Sequence, residues 1–103
     1  MMPAMEERVP RWTFLTNHAH VLLCLSRDPA LRLRDISEMV GITERATQHI
    51  LTELEEQGYV ERRRVGRRNA YELNLSLPLR HPLERMYSVG ELLGVLEADR
   101  SQS

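Results

Sequence analysis

Lysine is absent from this 103-residue chain, and all fourteen basic residues are arginine. Exclusive arginine fits a GC-rich genome and by itself assigns no function. Cysteine occurs once, at Cys24, which excludes an internal disulfide and suits a reducing compartment. Long apolar runs are missing too. The longest, Val21–Leu25, falls far short of the roughly 20 residues that span a bilayer. Residues 1–11 carry two Glu, two Arg and two Pro, which argues against a secretory leader and for a cytoplasmic protein. There is no pair of carboxylates in a plausible cleft, no Ser/His/Asp spacing and no phosphate-binding glycine loop, so no enzyme is expected.

What is present is enough for one compact domain, with 42% hydrophobic and 28% charged residues. The expected division is a flexible lead at 1–11, a domain at 12–97 and a flexible tail at 98–103. Net charge is −1 and the isoelectric point about 6.4, which speaks weakly against nucleic acid. The distribution speaks the other way. Arg62, Arg63, Arg64, Arg67 and Arg68 fall within seven positions, while acidic residues gather at Glu53, Glu55, Glu56 and along 84–99.

Periodicity orders the chain. Residues 12–27 form a first predicted helix, capped by Thr16 or Asn17 and ended by Asp28-Pro29. Its second half is apolar nearly all round, which implies cover from a partner surface. Arg32–Arg34 is expected to be extended. Asp35–Val40 is a short second helix, with Ile36, Met39 and Val40 at helical spacing and Gly41 supplying the positive φ at its end. Thr43 caps a third helix, residues 44–57, whose inward face is Thr47, Ile50, Leu51 and Leu54; Gly58 closes it. The period then changes to two. Tyr71, Leu73 and Leu75 alternate with polar residues, residues 59–65 form the partner strand, and Val65–Asn69 supplies the turn. Pro82 marks the start of a last helix, residues 82–97, with an apolar seam of Met86, Val89, Leu93 and Leu96.

This order is mainly α with a small β-hairpin (an α+β class): a winged helix-turn-helix with an extra C-terminal dimerisation helix. The stretch Arg34–Val60, RDISEMVGITERATQHILTELEEQGYV, resembles the helix-turn-helix of MarR-like and ArsR-like prokaryotic regulators. The shared pattern is a short helix, Gly41-Ile42-Thr43, a longer helix ending in Leu54-Glu55-Glu56-Gln57-Gly58-Tyr59-Val60, and an arginine-rich wing. The resemblance covers about Leu15 to Leu75. Thr47 departs from it, standing where those families bury a Val-like group, and its hydroxyl then needs a carbonyl one turn back. The resemblance implies a cytoplasmic transcription regulator that binds double-stranded DNA.

In such a fold the third helix enters the major groove. Its outward face would be Glu44, Arg45, Gln48, His49 and Thr52. Arg45 suits guanine and Gln48 adenine as bidentate partners, and Thr43 with the free amides of the helix start suits a phosphate. On the wing, Arg62 and Arg64 share one face and Arg63 takes the other. Arg67 and Arg68 at the tip, with Asn69, are the stronger candidates for the minor groove or its phosphates. Leu15, Leu22, Met86, Val89, Leu93 and Leu96 are the candidate homodimer interface.

ArsR-like proteins often sense metals. Here His18 and His20 lie on different faces, His49 and His81 lie elsewhere, and no Cys-x-Cys or His-x₃-His pair occurs, so no metal or other cofactor is expected. Cys24 reads as a buried, inert thiol. Two other functions fit the same fold: a winged helix that only docks on protein, and an architectural or replicon-maintenance DNA-binding protein. The operator, any small-molecule effector, and repression versus activation are not written in the chain.

Overall fold

The computed structural model describes residues 9–101, with side chains described as far as Glu97. Most of the expected lead and part of the expected tail therefore lie outside the described residues. The elements run α1 (Asn17–Arg27), α2 (Leu33–Val40), α3 (Glu44–Glu56), β1 (Val60–Val65), β2 (Arg68–Leu73) and α4 (Val89–Ser101). Four helices and a two-stranded antiparallel hairpin make the α+β layout of a winged helix. Among the described residues no helix is long and apolar enough to cross a membrane.

Local chemistry explains the middle of the chain. Gly41 adopts φ +89°, and the amides of Gly41 and Ile42 both donate to Ser37 O, closing α2 in a left-handed cap. Val9 packs directly over Gly41, leaving no room there for a Cβ. Thr43 then opens α3, its hydroxyl oxygen accepting from Ala46 N across 3.0 Å. Thr47 is fully buried, and its hydroxyl donates to Thr43 O at 2.9 Å, the carbonyl one turn back that a buried threonine requires. At the far end Gly58 takes φ +84° while Tyr59 N donates to Leu54 O.

The core lies where α1, α2 and α3 meet the base of the hairpin, centred on Val21, Leu25, Ile36, Leu51 and Leu54. Val60 and Tyr71 seal it from the sheet, and Val89 and Leu93 from α4. This corrects the expectation that α1 needs a partner: Val21, Leu22, Cys24 and Leu25 are buried by the chain itself. Burial pushes the Cys24 thiol above its ordinary pKa, which keeps it protonated and unreactive.

Several boundaries differ from the sequence reading. Helix α1 starts at Asn17 rather than residue 12, because Thr16 is extended (φ −74°, ψ 167°) and residues 9–16 precede it as a non-helical arm. Helix α2 starts at Leu33, so only Arg32 of the expected extended segment is extended. Met39 is exposed, and Leu33 packs on the core in its place. The hairpin turn is two residues, Gly66 and Arg67, between the paired Val65 and Arg68. Gly66 has φ +63° and Arg67 does not have a positive φ, the pattern of a type II′ turn. Strand β2 accordingly begins at Arg68 and ends at Leu73, leaving Leu75 outside it.

The largest difference is the last helix. Residues 81–87 form two successive turns, with Glu84 N donating to His81 O and Tyr87 N to Glu84 O; Ser88 bridges to Pro78, and α4 begins at Val89. The start is set by a reciprocal cap. Ser88 N donates to Glu91 Oε1 at 2.8 Å, and Glu91 N donates to Ser88 Oγ at 3.1 Å. Residues 75–79 run back along this start, with Leu79 N donating to Tyr87 O, Val89 N to Leu77 O and Gly90 N to Leu75 O.

Candidate nucleic-acid interface

Helix α3 presents Glu44, Arg45, Gln48, His49 and Thr52 to solvent, and Thr43 is exposed at its cap. The opposite face, Thr47, Ile50, Leu51 and Leu54, is buried, so the outward set follows from the helical repeat. These side chains are not equally free. Arg45 has no ion pair among the described residues. Gln48 Nε2 donates weakly to Thr52 Oγ1 at 3.4 Å. His49 Nε2 stands 3.3 Å from Glu53 Oε2.

Glu53 also accepts from His18 of α1, Nε2 to Oε1 across 2.7 Å; a carboxylate only accepts, so this nitrogen carries the proton. The sequence reading kept His18 apart from His49, and the fold brings both to one carboxylate. Glu53 titrates below the usual carboxylate range, first because of the His18 hydrogen bond and then the nearby histidine charges. A depressed carboxylate stabilises the fold above its unfolded pKa of about 4.3 and loses that contribution as pH falls through the folded value. The melting-temperature difference between the native chain and His18→Ala is therefore expected to be present at pH 5–6 and to shrink below about pH 4. Thermal melts across this range check it.

On the wing the register settles which arginines share a face. Arg62 opposes Tyr71 and Arg64 opposes Asn69, on the side that continues into buried Val60 and Tyr71. Glu61 opposes Glu72 and Arg63 opposes Ala70 on the other side. Arg63 answers the like-charge pair of glutamates there: its guanidinium donates to Glu72 Oε1 at 2.6 and 2.9 Å and approaches Glu61 at 3.5 Å. Those contacts, the Glu72 hydrogen bond first, raise its pKa further.

The remaining arginines divide again. Arg62 lies 3.6 Å from Glu55 at the end of α3, and so faces an acid at the wing's base. Arg64 Nε donates to Gly66 O. Arg68, expected at the tip, lies in β2 and donates to Ala30 O at 2.5 Å. Beside it Tyr71 N donates to Pro29 O, so the loop before α2 is bonded to the open edge of the hairpin. Arg67 alone of the five has no hydrogen bond or ion pair among the described residues.

A groove of about 320 Å³ joins the two halves of the site. Its walls are Gln48 of α3 and Arg67, Arg68 and Asn69 of the wing, and its floor includes Leu51 and Tyr71. Arg32 lines the same groove and was missed from sequence. The expected extended segment hid it: in the fold Arg32 occupies the N-cap of α2 without a capping hydrogen bond, where the helix dipole disfavours a cation.

Of the candidate dimer residues, Leu22, Val89 and Leu93 are buried inside one chain and have almost no surface left for a second copy. All three belong to the core of one chain, where α4 lies beside the middle and end of α1, with Ser26 and Arg27 bonded to Glu97. Met86 is exposed and lies in the turns before α4, while Leu15 and Leu96 are half-buried.

Residues 16–61 match the family described as winged helix-turn-helix DNA-binding. The match spans α1 to the first residues of β1, and so contains α3 with its cap. No curated protein matches the chain.

Proposed function

From a chain that carries a winged helix-turn-helix DNA-binding domain, we propose a sequence-specific transcription regulator that binds double-stranded DNA as a homodimer. Helix α3 would lie in the major groove, reading bases with Arg45 and Gln48. The wing would follow the adjoining phosphates or minor groove with Arg64 and Arg67. The observation that carries this reading is the shared groove, in which Gln48 of the helix faces Arg67 and Asn69 of the wing. Three of the four acids of α3, Glu53, Glu55 and Glu56, lie in its C-terminal half, and the fourth, Glu44, stands in the first turn beside Arg45.

A homodimer whose α3 helices lie about one DNA turn (~34–36 Å) apart would favour a palindromic site. Kinship with MarR-like and ArsR-like regulators belongs to the same proposal, and rests on the Gly41-Ile42-Thr43 turn and the Leu54–Val60 helix end. The proposal needs no cofactor.

Selection of bound fragments from random duplex DNA tests specificity and palindromy together. With about six phosphate contacts in the dimer, binding should fall with salt at a log–log slope of about −5. Arg67→Ala should weaken all sequences alike and reduce the slope by about 1 for each arginine lost from a phosphate. A flat salt response would overturn DNA binding and turn the reading toward a winged helix that docks on protein.

A further inference from the structure

The arm of residues 9–16 holds the only tryptophan and the only phenylalanine of the chain. Both face solvent: Trp12 is 66% and Phe14 93% exposed, packed edge-to-face at 5.2 Å. Core burial leaves these rings out because α1 begins only at Asn17. Phe14 stands at the rim of a cleft of about 600 Å³, lined by Leu15, Ala19, Leu22, Leu79, Val89 and Leu92. The turns that border this cleft carry three more uncovered apolar side chains, Leu83 at 83%, Met86 at 77% and Tyr87 at 54%.

Bare aromatic side chains of this kind bury roughly 150–250 Å² each when covered. At their observed exposures the five residues together offer on the order of 700–800 Å² per chain, about the share that one partner contributes to a standard interface. A monomer rarely leaves so many large apolar side chains uncovered on two neighbouring segments, the arm and the turns, that meet at one cleft. The patch also holds a projecting ring pair and an apolar cleft side by side. That is the self-complementary arrangement a two-fold axis requires, since the projection of each copy can enter the cleft of the other.

We propose that the arms are exchanged between two copies of this chain, the Trp12–Phe14 pair of each seated in the apolar cleft of the other beside residues 83–87. The inference rests on the homodimer reading and assigns its interface to the arm, the cleft and the turns before α4; Leu22, Val89 and Leu93 contribute only the small surface they show at the bottom of that cleft.

Trp12 is its own reporter. Light scattering and tryptophan emission are to be followed together on dilution of the full chain. The dimer should show blue-shifted emission and reduced acrylamide quenching, both lost as it dissociates. Phe14→Ala should raise the dimer dissociation constant by roughly 10- to 100-fold. Its thermal unfolding as a monomer should be almost unchanged, because Phe14 is 93% exposed and its ring contact is Trp12, itself largely exposed. A dimer whose Trp12 stays open to quencher, or which tolerates Phe14→Ala, overturns the arm exchange and leaves the homodimer reading standing. A monomer at all concentrations overturns both. A monomer with Trp12 shielded would show that the same chain covers its own patch, and overturns the exchange as well.

Discussion

Replacing Leu51 by Ala is expected to lower the unfolding free energy by about 2–5 kcal/mol. Leu51 sits on the inward face of α3 and is among the most deeply buried large side chains of the chain. Around it α1, α2 and α3 pack against one another and against the hairpin, so little of the surroundings is free to collapse into the space left behind. The lost methyl groups therefore leave a cavity, and the cost exceeds that of transferring them to water. A domain of this size has about 5–15 kcal/mol in total, so the loss removes a large fraction of its stability. Urea unfolding checks it: the midpoint should fall with little change of slope. Because Leu51 also floors the groove beneath Gln48 and Arg67, the surviving folded fraction should bind DNA less well too. A midpoint within error of the native chain would show that the core is looser here than its burial indicates.

Arg45→Ala is expected to weaken binding to the selected DNA site by about 1–3 kcal/mol, on the order of 10- to 100-fold. Arg45 is the second residue of α3, exposed, with no acidic partner among the described residues, so its guanidinium would be available to guanine O6 and N7. Its neighbours are less available. Glu53 holds His49, and Thr52 weakly holds the Gln48 amide. The loss should be confined to the preferred sequence, with random duplex bound almost as before. Titrations of both duplexes at one salt concentration separate the cases. An equal loss on both would place Arg45 on a phosphate and leave base reading to Gln48.

The central part of the fold was legible because it is written in short-range chemistry. Gly41 must take a positive φ, Thr43 must cap, and Thr47 finds its carbonyl four residues back; each signal lies within one turn of the residue it determines. The wing's alternation was legible for the same reason, since register fixes which of Arg62, Arg63 and Arg64 share a face. The end of the chain misled. Pro82 is a good first residue for a helix, but the stronger signal was the Ser88-Val89-Gly90-Glu91 box, which caps α4 seven residues later. Other features depended on residues distant in sequence. Nothing near Arg62 announces Glu55, nothing near Arg68 announces Ala30, and nothing near His18 announces Glu53. The apolar girdle of α1 looked like an interface because its cover comes from distant parts of the chain, from α2, α3 and β2 and from Val89 and Leu93 near the end.

The Arg68–Ala30 and Tyr71–Pro29 bonds have a consequence for how the wing would meet DNA. A free two-stranded hairpin is marginal in water and would have to be ordered at the moment of binding, at the expense of affinity. Here the loop before α2 holds the open edge of the hairpin, so the rigidity of the wing is settled when the chain folds. DNA approaching as proposed would then meet a preformed edge carrying the Arg67 guanidinium, which has no hydrogen bond or ion pair among the described residues. Most of the entropy left to lose at the tip is that of one side chain.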